Sequence, residues 1–327
     1  MNILVGVYSE LGFWNLPSHH VTRLREAFPG HTFLHATSHA DTMAMIPDAD
    51  VVFMSELRSP QFNAARRVRW IHSPAAGVGG MLSPELAASP VVLTNSRGLG
   101  ATTIAEHVLA VTLAMWRHLP MVFAKQQARQ WAQAEAFGPP APRTIAGARV
   151  LVIGMGSIGA VVAQHFAALG ATVTGLRRRA SRAHDVPGVR IESPDRLLDL
   201  LPWSDIVVIA APQTSETRGL MGARALAAMR RDALLVNVSR GKIIDQAALV
   251  EALADGTLGG AALDVFEREP LPADSPLWTM PNVLVTPHMA GFRVEHWDDV
   301  IALFSDNLRR FVEGRELRNV VDKVAGY

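Results

Sequence analysis

The sequence predicts an α/β protein of two domains, each built on a doubly wound parallel sheet. Three observations support this. The chain has 327 residues, more than one ordinary hydrophobic core accommodates. Short apolar runs alternate with polar, helix-like segments along the chain, as in βαβ units. A Pro/Gly-rich connector, "AFGPPAPRTIAG", separates two such series.

The amino-acid composition limits the kinds of partner and of chemistry that the protein can have. The chain is 49% hydrophobic and 19% charged, and its formal net charge is +1. This hydrophobic content can fill two cores, and a near-neutral charge creates no field that attracts nucleic acid or an anionic membrane. There are no cysteines, which excludes disulfides, thiolate metal sites and a cysteine nucleophile, and fits a reducing compartment. The N-terminus lacks signal-peptide features, and no apolar stretch reaches about 18 residues. We therefore expect a cytoplasmic protein without a membrane or nucleic-acid partner.

The first series of strands begins at the N-terminus. "ILVGVY", "VVFMS", "VRWIHS" and "VVLTN" are predicted as buried strands, each followed by turn-forming residues. "HTFLHATS" also has strand character, so the spacing of His31, His35 and His39 does not place them on one helix face, and we predict no metal site. Near the C-terminus, "VEHWDDVIALFSDNLRRFVEG" has the apolar stripe of an amphipathic helix.

A second series follows the connector. From about residue 102 the periodicity predicts a long helix that Pro120 kinks or breaks. Beyond the connector, six apolar runs recur at fairly regular spacing: "ARVLVIG", "ATVTGL", "DIVVIAA", "ALLVNVS", "GGAALDVF" and "NVLVTPH". Six strands in such a series are typical of a dinucleotide-binding sheet.

A glycine pattern opens this second series. "VLVIGMGSIGA" places Gly154, Gly156 and Gly159 in a G-x-G-x-x-G between a strand and a helix. The first glycine permits the tight turn, the second lets the backbone approach a pyrophosphate, and the third allows close helix–strand packing. The helix N-terminus, at Ser157 and Ile158, supplies N–H donors and a partial positive charge. The pattern predicts a Rossmann-type nucleotide site.

The end of the next strand bears on which nucleotide binds. An NAD site usually presents an acidic residue there, whereas "ATVTGLRRRAS" presents Arg177, Arg178 and Arg179. Guanidinium groups pair with the oxygens of a 2′-phosphate, which favours NADP over NAD. A solvated basic turn is the alternative.

Three strand ends bring further polar residues to the same edge of the predicted sheet. Arg240 ends "ALLVNVS", Glu267 and Glu269 follow "LDVF", and His288 ends the last strand. Open α/β sheets bind ligands at the carboxyl ends of their strands. An arginine, a carboxylate and a histidine at this edge can anchor a substrate carboxylate, deliver a proton and keep the proton donor charged, as carbonyl reduction requires.

The chain from about residue 70 to 291 resembles the D-isomer-specific 2-hydroxyacid dehydrogenase family, in its NADP-dependent glyoxylate/hydroxypyruvate reductase branch. The matching stretches are "TNSRGLGATTIAEHVLAVTLA", "GMGSIG", "APQTSETRGLM", "LLVNVSRGKIIDQAALVEAL", "GGAALDVFEREPLPADSPLW" and "NVLVTPHMAG". The resemblance implies that Arg240 anchors the substrate, that His288 is the general acid, and that Glu269 orients and charges it. The family's formate dehydrogenase branch carries Gln in place of Glu269, which argues against that activity.

The resemblance also implies contacts to the nucleotide and the substrate. Asp264 should face the nicotinamide carboxamide, and further nucleotide contacts are expected at Pro212, Thr217, Val238 and Ser239. "AAGVGG" corresponds to the family's substrate-carboxylate loop, with N–H groups near Ala76, Gly77 and Val78. This chain departs from the family at Gly79, where a polar or acidic residue is usual. The sequence leaves open whether Arg97 and Arg293 approach the substrate or form a salt bridge at the domain junction.

The expected architecture is a flavodoxin-like substrate-binding domain, 1–100 plus 291–327, into which a Rossmann-type dinucleotide domain, 101–290, is inserted. The resemblance implies a homodimer built around the long helix and the arm through "WAQAEAFGPPAPR". The expected activity is NADPH-dependent reduction of a small 2-keto acid such as glyoxylate or hydroxypyruvate. Two alternatives remain: an NAD-dependent dehydrogenase of a larger D-hydroxy acid, and a non-enzymatic NAD(P)H sensor like the family's corepressors.

Overall fold

The computed structural model describes residues 1–9, 12–178 and 185–326. They divide into two units, one made of residues 1–99 and 293–327 and the other of residues 100–292. The strands are β1 Asn2–Gly6, β2 Thr32–His35, β3 Val51–Met54, β4 Trp70–Ser73, β5 Val92–Asn95, β6 Arg149–Ile153, β7 Thr172–Leu176, β8 Arg190–Glu192, β9 Ile206–Ile209, β10 Leu234–Asn237, β11 Gly260–Leu263 and β12 Val283–Val285. The helices are α1 Ser18–Ala27, α2 His39–Met45, α3 Ser59–Ala64, α4 Pro84–Ala88, α5 Ala101–Trp116, α6 Leu119–Gln127, α7 Gln133–Phe137, α8 Ser157–Ala168, α9 Leu197–Leu200, α10 Ala223–Ala228, α11 Gln246–Ala254 and α12 His296–Val312.

The first unit is built on a five-stranded parallel sheet in the order β2-β1-β3-β4-β5, the flavodoxin-like order. The central strands β1, β3 and β4 are buried on both faces, because helices cover both sides of a parallel sheet. The amphipathic helix α12 supplies part of one cover: Phe304 stacks on Phe53, with ring centroids 4.6 Å apart, and on Trp70 at 5.3 Å. A segment that follows the whole second unit in sequence therefore completes the core of the first.

The second unit contains a seven-stranded parallel sheet in the order β12-β11-β10-β9-β6-β7-β8. Strands β6 and β9 are neighbours in the sheet. The sheet extends from β6 through β7 to β8 on one side and from β9 through β10 and β11 to β12 on the other, so the strand order reverses between β6 and β9. In doubly wound sheets the ligand lies outside the carboxyl ends of the strands at such a reversal. The predicted fold class, two doubly wound parallel sheets, is confirmed, and β8 is an edge strand that the sequence analysis missed.

The long helix predicted from residue 102 is two helices. α5 ends at Trp116, His118 has a left-handed backbone (φ 57°), and α6 begins at Leu119 with Pro120 in its first turn. Proline is tolerated in a first turn because its missing N–H has no intrahelical partner there. Among the described residues no single helix has both the length and the apolar character to cross a membrane, and α5 and α6 meet those criteria only as a pair bent by 67°.

Candidate active site

The loop from β6 to α8 has three glycines, and the structural requirement for glycine differs among them. Gly154 has φ +101°, and a Cβ there would lie 2.5 Å from the backbone of Ala211. A Cβ on Gly159 would lie 1.9 Å from the Gly154 carbonyl oxygen. Gly156 has an extended backbone, and a Cβ there would meet no atom within 4 Å. The fold therefore requires Gly154 and Gly159, whereas the missing side chain of Gly156 leaves a space that a pyrophosphate can occupy.

The N-terminus of α8 faces this space without a side-chain cap. Gly156 is the N-cap residue and has no side-chain oxygen to accept from the first N–H groups of the helix, at Ser157 and Ile158. Uncapped N–H groups together with the helix dipole favour an anion at that position. The loop is thus suited to the diphosphate of a dinucleotide.

Arg177 and Arg178 follow β7, the next strand of the sheet. The Arg177 side chain is 14% exposed and its Nη2 donates to Asp185 at 2.8 Å. Its Nε and Nη1 are buried and find no hydrogen-bond partner among the described residues. A buried guanidinium with two unused donors is suited to phosphate oxygens. Arg178 pairs with Glu216, and Arg179 lies outside the described residues.

Glu216 belongs to a loop after β9 that carries the predicted contacts Pro212 and Thr217. The Thr217 hydroxyl donates to the Pro212 carbonyl at 2.7 Å and accepts from the Thr214 N–H at 2.8 Å. These bonds hold the loop in one shape. Pro212 is exposed and Thr217 partly so, which leaves both available to a ligand.

Arg240 sits in a turn that follows β10. Asn237 braces this turn, because its side chain accepts from the Ser239 N–H at 3.1 Å and donates to the Arg240 carbonyl at 3.1 Å. Ser239 also donates to the Ala211 carbonyl, and Val238 is buried, so these two predicted nucleotide contacts help to fix the turn. A Cβ on Gly241 would lie 1.8 Å from the Phe266 carbonyl carbon. Glycine is therefore required where the Arg240 turn packs against the turn that leads to Glu269.

Glu269 and His288 form a short pair. The distance from Glu269 Oε2 to His288 Nδ1 is 2.6 Å, and Oε1 accepts from the Phe266 N–H at 3.0 Å. A carboxylate only accepts, so Nδ1 carries a proton and Nε2 is the ring nitrogen that faces away from Glu269. Burial alone would raise the pKa of Glu269, but the bonds from His288 and Phe266 and the charges of His288 and Arg240 hold it below its usual value. Burial lowers the pKa of Arg240, and Glu269 opposes that shift.

The backbone of His288 is strained, and hydrogen bonds to Asp264 and Thr286 hold the segment around it. Its φ is 52°, in the left-handed region, which costs a non-glycine residue on the order of 1 kcal/mol. The His288 N–H donates to the carbonyls of Asp264 and Thr286, at 2.9 and 3.0 Å. The Asp264 side chain, 2% exposed, accepts from the N–H groups of Met289 and Ala290 at 2.9 and 3.0 Å. Asp264 therefore anchors the segment that carries His288, a role that sequence reasoning missed.

The predicted substrate loop lies in the first unit, directly after β4. Ala76 and Gly77 are exposed and Val78 is buried. Asn95 Nδ2 donates to the Ala76 carbonyl at 2.6 Å, which fixes the peptide plane. Within the described part of the chain, no hydrogen bond is formed by the N–H groups of Ala76, Gly77 or Val78. Three unused N–H groups in a held loop are suited to a carboxylate.

The remaining candidates have local partners. Arg97 Nη1 donates to the Val320 carbonyl at 3.3 Å, and Arg293 pairs with Asp299 and, at 3.8 Å, with Glu295. Glu267 accepts from the Gln246 N–H at 3.2 Å. No group of three or more metal-ligating side chains is found in the described ranges.

Comparison with known families identifies the family of the chain. Residues 109–290 match the model of the "D-isomer specific 2-hydroxyacid dehydrogenase, NAD binding domain", which covers more than half of the chain. The chain belongs to the D-isomer specific 2-hydroxyacid dehydrogenase family. The predicted family is therefore confirmed, and with it the class of enzyme, a dehydrogenase with a nicotinamide-nucleotide domain. Glyoxylate/hydroxypyruvate reductase B of Salmonella typhi is 31% identical over 309 residues, covering 93% of this chain and 92% of the relative.

Solved structures of other members of this 2-hydroxyacid dehydrogenase family share the fold over the whole chain. One is an enzyme from Xanthobacter autotrophicus Py2 in complex with NADPH and MES, with a TM-score of 0.84 and 31% identity over 100% of this chain and 99% of that one. Another is the NADPH-dependent glyoxylate/hydroxypyruvate reductase of Sinorhizobium meliloti in complex with NADP and sulfate, with a TM-score of 0.84, 29% identity and the same coverage.

Proposed function

We propose that this protein uses NADPH to reduce the 2-keto group of a small 2-keto acid, glyoxylate or hydroxypyruvate first, to a D-2-hydroxy acid. The observation that carries the proposal is the 2.6 Å pair of Glu269 and His288 next to the charge of Arg240, within the unit that holds the glycine-rich loop. The names of the relatives from Salmonella typhi and Sinorhizobium meliloti support the same substrate class.

Each catalytic side chain has a separate task in this reaction. A bound nicotinamide nucleotide supplies the hydride. Arg240 stabilises the negative charge that develops on the carbonyl oxygen and attracts the substrate carboxylate. His288 delivers the proton from Nε2, while ionised Glu269 orients the ring and stabilises its protonated form. The N–H groups of the loop at Ala76, Gly77 and Val78 bind the carboxylate of the substrate.

The residues present fit NADP. The pyrophosphate would bind at Gly156 and the N–H groups of Ser157 and Ile158, and the 2′-phosphate at Arg177 and Arg178. The loop with Pro212 and Thr217 would line the adenosine, and Val238, Ser239 and Asp264 would contact the nicotinamide half. Two buried donors of Arg177 without a described partner and the open space at Gly156 support this placement. The structures from Xanthobacter autotrophicus and Sinorhizobium meliloti contain NADPH and NADP.

The proposed activity predicts faster oxidation of NADPH than of NADH with glyoxylate or hydroxypyruvate, measured beside pyruvate and phenylpyruvate. Arg177→Ala should raise KM for NADPH by about 10-fold, the loss of one charge-assisted contact, and leave KM for NADH unchanged. A preference for NADH in the wild type would be compatible with the proposed reaction, but it would show that the arginines do not recognise a 2′-phosphate. Tight nucleotide binding with no oxidation of either cofactor would instead favour a sensor or an untested substrate.

The glycine-rich loop allows a matched pair of variants. Gly156→Ala should weaken NADPH binding by about 10-fold or more, because the methyl group enters the space for the pyrophosphate, while Tm stays close to wild type. Gly159→Ala should lower Tm by several degrees, because its Cβ would collide with the Gly154 carbonyl. Fluorescence titration and thermal melts measure the two effects. Full nucleotide affinity in Gly156→Ala would contradict this placement of the pyrophosphate.

The proposal includes a homodimer in the cytoplasm. The segment α5–α7, expected to form the dimer arm, exposes five large apolar side chains, an area that a partner chain would cover. They are Leu113, Leu119, Phe123, Trp131 and Phe137. The substrate-binding role of residues 1–100 with 291–327, and the nucleotide-binding role of 101–290, are part of the same proposal.

A further inference from the structure

His107 on α5 is connected to the catalytic segment through two side chains. Its Nε2 lies 3.2 Å from the Thr286 hydroxyl, and that hydroxyl donates to Asp264 Oδ1 at 2.6 Å. The distance from His107 Nε2 to Asp264 Oδ1 is 3.9 Å. All three groups lie in the unit of residues 100–292, and the His107 side chain is only 14% exposed. None of the catalytic roles assigned above uses this histidine.

The positions of the protons in this chain follow from the chemistry of its members. Asp264 as a carboxylate only accepts, so the single hydroxyl proton of Thr286 is directed at Oδ1. The Thr286 oxygen can then only accept from His107, which places a proton on Nε2 of the histidine. Burial lowers the pKa of His107 and the Asp264 charge opposes that shift. A neutral imidazole with its proton on Nε2 satisfies all three groups.

The far end of this chain is the segment that holds His288. Asp264 Oδ1 accepts from the Met289 N–H and Oδ2 from the Ala290 N–H. Its backbone carbonyl accepts from the N–H of His288, whose φ of 52° is sustained only while these bonds hold the backbone. The side chain and the backbone carbonyl of Asp264 therefore both hold the segment that carries the His288 ring. The Thr286 hydroxyl donates to Oδ1 of the same carboxylate, at 2.6 Å.

We propose that His107 is a positioning residue for the reaction: its Nε2–H holds the Thr286 hydroxyl on Asp264, and Asp264 in turn holds His288 in the geometry from which it donates a proton. The inference rests on the proposed function for its effect on rate. Its structural part, the link from His107 to the His288–Glu269 pair, is independent of the substrate.

Two variants of similar side-chain length separate hydrogen bonding from packing. His107→Met fills the space without a donor and should lower kcat by about 10- to 100-fold, as small misplacements of catalytic groups do. His107→Gln keeps an N–H donor near the Nε2 position and should recover kcat to within about threefold of wild type. His165→Met, on α8, replaces a half-buried histidine whose Nδ1 has no hydrogen-bond partner among the described residues, and should leave kcat at the wild-type value.

A double-mutant cycle tests the path. Thr286→Val removes the hydroxyl, so His107→Met combined with Thr286→Val should lose no more kcat than Thr286→Val alone. Additive losses would overturn the proposed path through Thr286. Equal kcat in His107→Met and His107→Gln, whether both are low or both are like wild type, would overturn the role of the N–H group.

Histidine-selective ¹⁵N NMR provides a readout without turnover. The proton on Nδ1 of His288, identified by its absence in His288→Gln, should give a hydrogen-bonded resonance that is lost or displaced in His107→Met and kept in His107→Gln. An unchanged resonance in His107→Met would overturn the proposal. If wild-type protein reduces none of the four keto acids, the proposed function fails, and this measurement still decides whether His107 positions His288.

Discussion

Arg240→Ala should lower kcat for hydroxypyruvate by about 10²- to 10³-fold, the effect of removing one donor to a developing oxyanion, or roughly 3–4 kcal/mol. The reason lies in the turn after β10. Arg240 is partly buried, and Asn237, Ser239 and the packing of Gly241 against Phe266 fix the backbone that presents it. A guanidinium presented by a fixed turn needs less reorganisation as charge appears on the substrate. Steady-state kinetics at saturating NADPH measure the loss.

Lys242 offers a control two residues away. It is exposed, and Lys242→Ala removes the same formal charge from the same turn, so its kcat should stay close to wild type. Arg240→Lys keeps the charge but loses the planar fork, and its kcat should fall between those of the wild type and Arg240→Ala. Near-wild-type turnover in Arg240→Ala would contradict the assignment of Arg240 as a catalytic residue.

His288→Gln should reduce kcat by about 10²- to 10⁴-fold, the contribution of one general acid. Glutamine fills similar space but cannot carry and release a proton at the Nε2 position. The nucleotide Kd should not change, since the ring pairs with Glu269 and not with the glycine-rich loop. Single-turnover rates, which isolate the chemical step from product release, are the suitable measurement. A wild-type single-turnover rate would assign the proton to another group.

The pH dependence of the same pair has a definite sign. The pKa of Glu269 is held below its usual value, so the carboxylate stays charged as pH falls through the ordinary glutamic acid range near about 4.3. The rate of reduction should therefore be lost on the acid side only below that range. The stability that the pair contributes should be lost progressively as pH falls from that range through the lowered pKa of the folded state. In Glu269→Gln this acid-side loss should be absent and the rate should be low at every pH. An acid-side loss of the same shape in Glu269→Gln would point to a different titrating group.

The fold was largely predictable because its strands are continuous apolar runs that end in turn residues. β8 was not, since Arg190–Glu192 is three residues long and carries charges at both ends, as edge strands often do. The break between α5 and α6 was expected at Pro120. It falls before that residue because proline can begin a helix more easily than it can continue one.

The residue types of the candidate site were predictable from the sequence, whereas the hydrogen bonds between distant residues of the site were less so. Arg240, Glu269 and His288 stand at strand ends, where position in the sequence already indicates a shared edge. Asp264 was expected to serve the nucleotide, and its carboxylate has a further role that the sequence did not indicate, because it holds Met289 and Ala290, residues 25 and 26 positions away. The link from His107 to Thr286 spans 179 positions. Periodicity cannot reveal such pairs, because it describes neighbours along one element and not contacts between elements.

The contribution of α12 to the first unit has a consequence for how the chain is made. Phe304 completes a core with Phe53 and Trp70, but the ribosome synthesises residues 100–292 before it reaches that helix. The second unit is continuous in sequence and can fold as it emerges, whereas the five-stranded sheet must wait with part of one apolar face uncovered. During synthesis the apolar residues of 1–99 therefore stay exposed until α12 is made. We expect chaperones to bind this segment of the nascent chain.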